Sequence, residues 1–228
     1  MLELSNVSAG YGKTEILRNL SIGFEKNRLT SIIGPNGCGK STLLKAALGM
    51  IPHMQGEISI DNVNLSTLKR KAIAKQIAYL PQGRGTPDMT VEQMVLHGRF
   101  PHLSYPRQYT SRDRDIAASA MDKAGIREFA LKPVYALSGG MRQSVYIAMA
   151  LAQETEYILL DEPTTYLDIS HQLDVMRLLR NLADDGRGIV AVMHDLPLAF
   201  QFSDMVMVMD QGRIFAHQTP GEVCESGL

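Results

Sequence analysis

A run of residues near the start of the chain has the types and spacing needed to hold phosphate groups. Gly34 to Thr42 reads G-P-N-G-C-G-K-S-T and fits the pattern G-x-x-x-x-G-K-[ST] in full. Glycines let backbone N–H groups close around phosphate oxygens where a side chain would block the approach. Lys40 can reach the outer phosphates, and Ser41 can hold Mg²⁺. The pattern therefore predicts a phosphate-binding loop.

The segments on either side of this loop decide between a phosphate site and an ordinary glycine turn. Leu29–Ile33 is an apolar run typical of a buried strand, and Leu43–Leu48 is typical of a helix. A helix that begins at the loop adds the partial positive charge of its N-terminus, which favours phosphate. We therefore expect the chain to bind a nucleoside triphosphate. The expected loop contacts are Gly34, Asn36, Gly37, Cys38, Gly39, Lys40, Ser41 and Thr42.

An apolar run that ends in two carboxylates forms a second candidate site. Tyr157–Leu160 is typical of a buried strand, and Asp161 and Glu162 follow it directly. The carboxyl ends of parallel strands face the ligand crevice, which would bring Asp161 beside the phosphate loop to hold Mg²⁺ together with Ser41. Glu162 would then polarise an attacking water molecule. Taken alone, the pair is equally compatible with an acidic turn at the end of a strand.

A second glycine-rich turn lies at Leu137-Ser-Gly-Gly-Met141. The segment Met141–Ala152 has a composition that suits a helix, so Ser138 and the two glycines precede its first turn. Backbone N–H groups in that position form a second anion site. Taken alone, these residues are better explained as a serine N-cap with a glycine-rich lead-in. One nucleotide does not obviously need two such sites from a single chain.

Alternation of strand and helix patterns indicates the class of fold. Strand-like runs at Tyr157–Leu160, Ile189–Met193 and Met205–Met209 alternate with helical segments. This order favours an α/β fold in which helices cover a largely parallel sheet. Asp168 is the expected N-cap of the helix after the carboxylate pair, and the segment Thr67–Ala74 is also expected to be helical.

The N-terminal part and the middle of the chain have different patterns. Leu2–Val7, Ile16–Phe24 and Glu57–Ile60 are typical of strands joined by Gly, Asn and Asp turns. From residue 83 to about 135 helical patterns alone recur, which we interpret as a helical insert. We expect a single nucleotide-binding domain over residues 1–228, with a catalytic core of about 1–82 and 153–228 and an insert of about 83–152.

Composition and charge argue against several classes of protein. The 228 residues carry a formal net charge of −1 at pH 7, which gives no basic footprint for a nucleic acid partner. Cys38 and Cys224 lack metal-ligand spacing, so neither a disulfide framework nor a zinc site is predicted. No apolar run is long enough to span a bilayer, and no signal-peptide pattern is present, so a cytoplasmic location is expected.

Six motifs occur together in an order that resembles the ATP-binding subunits of ABC transporters, over nearly the whole chain. The phosphate loop, the glycine-rich turn and the carboxylate pair look like the Walker A, signature and Walker B motifs of that family. Gln82, which follows Ile77–Leu80 and Pro81, resembles the Q-loop; Thr165–Asp168 resembles the D-loop; His194 resembles the switch histidine. Tyr11 stands at about the place of the aromatic residue that stacks on adenine, although a surface tyrosine beside Gly10 and Gly12 is the alternative.

The resemblance implies a fold and a set of roles. It implies a P-loop NTPase core with a mainly parallel sheet, an antiparallel β subdomain and a helical insert subdomain that carries the signature motif. ATP and Mg²⁺ would be the cofactors, with Glu162 as the base, His194 and Lys40 at the phosphates, and Ser41, Gln82 and Asp161 at the metal. Members of the family pair head to tail, so Ser138, Gly139 and Gly140 would contact the γ-phosphate of the partner's nucleotide. Asp168, in the D-loop-like segment, is also an expected nucleotide-binding residue.

The resemblance also implies protein partners. Membrane permease subunits would be contacted through the Gln82 loop and the helical insert, so the chain would lie peripherally on the inner face of the cell membrane. Phe100 and Tyr105 are candidate docking residues, with packing inside the insert as the equal alternative. A second copy of the chain and, indirectly, a substrate-binding protein complete the expected assembly. One departure is that Met141 stands where the family most often has Gln. The contacts expected of this turn come from Ser138 and backbone groups, so activity is expected to survive.

Two local segments narrow the expected cargo. His97–His102 and Pro163–Gln172 resemble importers of ferric siderophores, haem and cobalamin. The resemblance therefore implies import of an iron chelate, with haem, cobalamin or another metal as alternatives. A soluble ABC ATPase of iron–sulfur cluster assembly is the expected alternative from a different class.

Overall fold

The computed structural model describes residues 1–83 and 85–226, which contain two sheets, eight α-helices and four short 3-10 helices. The strands are β1 (Leu2–Tyr11), β2 (Thr14–Phe24), β3 (Leu29–Ile33), β4 (His53–Ile60), β5 (Val63–Asn64), β6 (Ile77–Leu80), β7 (Tyr157–Asp161), β8 (Gly188–Val192), β9 (Met205–Asp210) and β10 (Arg213–Gln218). The helices are α1 (Lys40–Ala47), α2 (Arg70–Ile73), α3 (Val91–Leu96), α4 (Ser111–Lys123), α5 (Gly139–Ala152), α6 (Ile169–Asp184), α7 (Leu196–Phe202) and α8 (Pro220–Ser226).

The larger sheet has six strands in the order β10-β9-β3-β8-β7-β6. Its pairs are parallel from β9 across to β6, and β10 alone adds on antiparallel at one edge. Every residue of β3, β7 and β8 is buried, because helices cover both faces of the sheet. This burial explains why those strands are continuous apolar runs, and it confirms the predicted mainly parallel sheet.

The smaller sheet is antiparallel, with strand order β2-β1-β4-β5. Its buried face shares one hydrophobic core with α1 and one face of the larger sheet. The Tyr157 hydroxyl joins the two sheets, since it accepts from the Leu2 N–H at 3.0 Å and donates to the Phe24 carbonyl at 3.1 Å. The separate antiparallel sheet implied by the resemblance is thus confirmed.

A group of helices packs on the opposite face of the larger sheet. Helices α3, α4 and α5 contribute Val91, Val95, Ala117 and Val145 to the second hydrophobic core. The buried Arg99 guanidinium ties this group together, because it pairs with Asp113 at 3.0 Å and Glu154 at 2.7 Å. These helices carry the glycine-rich turn to the same side of the molecule as the ends of the parallel strands.

Two local predictions were wrong. The expected helix Thr67–Ala74 is a 3-10 turn over Leu65–Thr67 followed by the four-residue α2, because Leu68 and Lys69 adopt extended backbone between them. Strand β10 was missed, although the two-residue turn Gln211–Gly212, with φ of 46° and 76°, is a usual hairpin connection. Asp168 was correctly predicted to cap α6, since its side chain accepts from the His171 N–H.

Candidate functional site

The loop between β3 and α1 has a backbone that admits only glycine at two positions. Gly34 has φ of 146°, and a Cβ there would lie 2.0 Å from the Met209 carbonyl oxygen. Gly39 has φ of 110° and lies against Ile16 and Leu17, where a Cβ would approach within 3.2 Å. The loop therefore follows a tight path that leaves its N–H groups free of side-chain cover.

The Lys40 ammonium lies folded over this loop. Its Nζ donates to the carbonyls of Gly34 at 2.7 Å and Pro35 at 2.9 Å, and the side chain is buried. Lys40 is also the first residue of α1, so the charged group and the helix N-terminus are at one place. The loop thus combines two sources of positive potential, which is the arrangement that a phosphate needs.

Ser41, in the first turn of α1, lies beside Asp161, the last residue of β7. The Ser41 hydroxyl donates to Asp161 Oδ1 at 2.9 Å, and Asp161 is buried. Burial raises the pKa of Asp161, and the hydrogen bond from Ser41 only partly opposes that rise. The carboxylate of Asp161 and the hydroxyl of Ser41 offer oxygen atoms as metal ligands, and Mg²⁺ prefers oxygen ligands, so these two residues are suited to holding Mg²⁺.

Glu162 is the centre of a hydrogen-bonded group at the ends of three strands. Its Oε2 accepts from Gln82 Nε2 at 2.6 Å and from the Thr165 hydroxyl at 3.1 Å. Its Oε1 lies 2.6 Å from His194 Nε2. Gln82, Glu162 and His194 follow β6, β7 and β8, respectively, and these strands are neighbours in the sheet. Sequence reasoning identified three of these residues but missed Thr165.

A single cleft contains most of the loop residues and this hydrogen-bonded group. Sequence reasoning missed Ile16, Thr165 and Tyr166 here, and a local pattern was available only for Thr165 and Tyr166, which belong to the D-loop-like segment. The lining consists of Ile16, Asn36, Gly37, Gly39, Lys40, Ser41, Thr42, Gln82, Glu162, Thr165, Tyr166 and His194.

Three residues expected at the nucleotide lie differently. Gly34 and Cys38 are outside the lining of this cleft, and the Cys38 side chain is buried with its Sγ close to Gly34. Tyr11 lies at the end of β1 with 43% of its surface exposed, and it is outside that lining too. The following strand, β2, supplies Ile16 to the cleft, so Tyr11 is at the tip of a hairpin whose other strand reaches the site.

The glycine-rich turn lies apart from the phosphate loop of its own chain. Ser138 caps α5, where its hydroxyl accepts from the Met141 N–H at 3.3 Å. Gly139 lines a neighbouring depression that shares Gln82 and Glu162 with the cleft, whereas Ser138 and Gly140 line neither. The Met141 side chain is half-buried against the hydrophobic core, which explains how an apolar residue is accommodated there.

A contact that sequence reasoning missed joins this turn to the D-loop-like segment. The His171 ring lies directly against Gly140, where an added Cβ would be 2.0 Å from His171 Cδ2. His171 Nδ1 is in turn 2.7 Å from Asp168 Oδ2. Gly140 and Asp168 are thus held in fixed relation through one side chain.

An apolar groove runs between α1, β6 and the helical group. Its lining includes Met50, Ile73, Tyr79, Phe100 and Met149. Phe100 is 48% exposed, with the Arg107 guanidinium 4.7 Å from the ring centroid. The predicted neighbour Tyr105 is 97% exposed and lies outside the lining.

The chain matches the sequence model of one known protein family. The family model described as ABC transporter matches residues 17–165, a segment that includes the phosphate loop, the glycine-rich turn and the carboxylate pair. The chain belongs to the ABC transporter family. As an ABC transporter ATP-binding protein, it is an ATPase.

Similar ABC proteins extend over nearly the whole chain. The petrobactin import ATP-binding protein FpuD of Bacillus anthracis is 42% identical over 100% of this chain and 84% of its own length. The iron(3+)-hydroxamate import ATP-binding protein FhuC of Bacillus subtilis is 42% identical, covering 97% of this chain and 83% of its own. The dimeric structure of MJ0796, a bacterial ABC transporter cassette, has a TM-score of 0.81 at 28% identity, over 96% and 99% of the two chains.

Within residues 1–83 and 85–226, no helix of this ABC ATPase is both long enough and apolar enough to cross a membrane.

Proposed function

We propose that this ABC ATPase drives import of an iron chelate, using the cleft between the phosphate loop and Glu162 to hydrolyse ATP. The observation that carries the proposal is the position of Glu162, whose two oxygens contact three polar side chains from different strand ends. Such contacts fix the carboxylate where a water molecule beside the terminal phosphate would meet it. Phosphoryl transfer depends mainly on positioning and charge stabilisation, and this site supplies both.

The proposed mechanism gives each residue a single task. The Lys40 ammonium leaves the carbonyls of Gly34 and Pro35 to bind phosphate oxygens, joined by the loop N–H groups. Glu162 takes the proton from the attacking water, and His194, 2.6 Å from that carboxylate, orients the water and the terminal phosphate. Ser41 and Asp161 would hold Mg²⁺, which would supply neutralisation of phosphate charge. A positioned base contributes roughly 10²–10⁴-fold in rate.

A second copy of the chain is the proposed source of the remaining contacts. Ser138 and Gly140 lie outside the cleft of their own chain, yet they form the N-terminal turn of α5, where backbone N–H groups favour an anion. Head-to-tail pairing would bring this turn, and Asp168 with it, to the nucleotide held by the partner. The relative MJ0796, whose structure is dimeric, supports this arrangement.

The apolar groove is the proposed docking site for a helix of a membrane permease. Its floor includes β6, whose next residues lead through Pro81 to Gln82 and so to Glu162. A partner bound in the groove would therefore contact the strand that leads directly to Gln82, the residue that donates to Glu162. Substitution of the exposed groove residue Met50→Glu should prevent co-purification with membrane subunits, whereas Val63→Glu, at an exposed valine of the smaller sheet, should not.

The proposed cargo follows from the relatives. FpuD is named for petrobactin import and FhuC for iron(3+)-hydroxamate import, and each covers almost the entire chain at 42% identity. The test is uptake of radioactive iron, supplied as petrobactin or as a hydroxamate chelate, by cells that lack this chain. The parent sequence and Glu128→Gln, an exposed position outside the site, should restore uptake, and Glu162→Gln should not.

Other results of these uptake assays, together with co-purification, would contradict the proposal that the cargo is an iron chelate. Normal iron uptake in cells lacking the chain, with loss of haem or cobalamin uptake, would keep the ATPase and change what is imported. Normal uptake of every compound, together with co-purification of soluble scaffold proteins instead of membrane proteins, would favour the iron–sulfur assembly alternative.

A further inference from the structure

Tyr79 is a residue of the apolar groove that also contacts the phosphate site. Its side chain lines the groove together with Ile73 and Phe100. Its hydroxyl donates to Asp161 Oδ2 at 3.4 Å, on the carboxylate whose other oxygen accepts from Ser41. One side chain thus extends from the groove to the group that is proposed to hold Mg²⁺.

The register of the sheet explains how Tyr79 makes both contacts. Tyr79 pairs with Leu159 of β7, and Asp161 lies two residues further along that strand, on the same face of the sheet. Its neighbours Ala78 and Leu80 face the opposite core, against the helical group. The Tyr79 ring therefore packs on the α1 side of the sheet, and its hydroxyl reaches along β7 to the carboxylate.

The same segment contacts both carboxylates at the end of β7. Tyr79 donates to Asp161, and Gln82, three positions further on, donates to Glu162. Movement of β6 would therefore act on the two acidic groups together. The Tyr79 hydrogen bond is near the upper limit of length for an O–H···O contact, so a shift of a few tenths of an ångström would either strengthen or break it.

We propose that Tyr79 is a positioning residue for Asp161. Through this residue, binding of a partner helix in the groove would change the position of the Asp161 carboxylate and so the affinity of the site for its metal ion. The inference rests on the proposed function of the groove and of Asp161. A helix that fills the groove presses on the Tyr79 ring, and the ring moves the hydroxyl relative to the carboxylate. Phenylalanine at this position would fill the groove as well as tyrosine does, but it would lack the connection to Asp161.

The experiment measures Mn²⁺ affinity by electron paramagnetic resonance, with ADP saturating and Mn²⁺ as the probe for the Mg²⁺ site. Parent, Tyr79→Phe and Tyr109→Phe are compared, each as the isolated chain and as the transporter co-purified with its membrane subunits. Tyr109 is a matched control because it is a half-buried tyrosine of the helical group, away from the groove and the cleft.

Three results are expected. In the isolated chain, Tyr79→Phe should bind Mn²⁺ about three- to tenfold more weakly than the parent, the effect of one long hydrogen bond to a carboxylate. Assembly with the membrane subunits should change the Mn²⁺ affinity of the parent and of Tyr109→Phe, and should leave that of Tyr79→Phe unchanged. Thermal unfolding without nucleotide should be similar for all three proteins.

Three results would overturn the inference in distinguishable ways. Equal Mn²⁺ affinity of the parent and Tyr79→Phe would reject the positioning role. A weaker Tyr79→Phe that still responds to assembly as the parent does would reject transmission from the groove. Absence of nucleotide-dependent Mn²⁺ binding in the parent would reject the metal site of the proposed function itself, and the inference with it.

Discussion

Nε2 of His194 lies 2.6 Å from Oε1 of Glu162, although the two residues stand at the ends of different strands. The other carboxylate oxygen accepts from Gln82 and Thr165, so the group is held from three directions. A carboxylate held in this way loses little entropy when it accepts a proton from water in the transition state. This geometry supports the proposal that Glu162 accepts the proton, with His194 next to it.

Replacement of that carboxylate is the most direct test of the proposed mechanism. Glu162→Gln keeps the shape of the side chain and an oxygen to accept from its neighbours, but an amide cannot take up the proton. The rate of phosphate release should fall roughly 10²–10⁴-fold. ATP affinity, measured by equilibrium binding, should stay close to that of the parent, and Glu128→Gln should behave as the parent in both assays. A variant that retained more than about a tenth of the parent rate would show that another group is the base.

Removal of the Lys40 ammonium should instead weaken binding. Lys40 is buried over the loop with its Nζ on two carbonyls, and the proposed mechanism exchanges those contacts for phosphate oxygens when nucleotide binds. A hydrogen bond to a charged group contributes about 1.5–3 kcal/mol, so Lys40→Ala should lower ATP affinity roughly 10- to 150-fold. Lys75→Ala removes an exposed charge outside the cleft and serves as the control. An affinity within twofold of the parent would place the lysine outside the phosphate contacts.

The parts of the site whose residues are adjacent in the sequence could be predicted from it. The phosphate loop and the carboxylate pair are local patterns between a buried strand and a helix or turn, and the parallel sheet then brings strand ends together. Sequence order alone could not show that Gln82 and Thr165 share one oxygen of Glu162. Side-chain contacts of this kind depend on rotamers and on the spacing of strand ends, which no periodicity encodes.

Other features lay beyond local patterns for different physical reasons. The contact of His171 with Gly140 joins two helices, so it has no signature within either segment. The predicted helix at Thr67–Ala74 was interrupted because the Asn64 side chain accepts from the Ser66 N–H and begins a separate short turn. Local hydrogen bonding overrode helix propensity at this point.

The His171 contact predicts different effects for the two adjacent glycines of the turn. At Gly140 an added Cβ would overlap the His171 ring and displace it from Asp168, whereas at Gly139 it would come closest to Leu167 Cδ2, at 3.9 Å. Overpacking costs about 1–3 kcal/mol, so the melting temperature of Gly140→Ala should fall by roughly 2–10 °C. Gly139→Ala should melt within about a degree of the parent or slightly above it, since Ala favours helix. Equal melting temperatures would show that the ring moves aside without loss.

Loss of the Tyr157 hydroxyl should lower the stability of the fold without involving the nucleotide-binding cleft. Tyr157→Phe would leave the Leu2 N–H and the Phe24 carbonyl without this partner at the junction of the two sheets. A buried polar group left unsatisfied costs about 1–3 kcal/mol, so the free energy of unfolding measured in urea should fall by at least about 1 kcal/mol. Tyr135→Phe, at an exposed position, should leave it unchanged. A loss below about 0.5 kcal/mol would mean that water replaces the hydroxyl.

The buried pair of Arg99 and Asp113 predicts how stability depends on pH. Burial alone would raise the pKa of Asp113, but hydrogen bonds from Thr110 and the Arg99 guanidinium outweigh it and lower this pKa to about 2. Since the pKa in the unfolded chain is near 3.8, the contribution of Asp113 is fully present above about pH 5 and is lost as the pH falls toward 2.

Urea unfolding at a series of pH values between about 2 and 7 tests this dependence. Asp113→Asn should be less stable than the parent at pH 7 and should lose less stability on acidification, so that the two curves converge near pH 2. Asp115→Asn, at an exposed position of the same helix, should follow the parent throughout. Parallel curves for the parent and Asp113→Asn would show that the ion pair contributes nothing to acid sensitivity and that other carboxylates account for it.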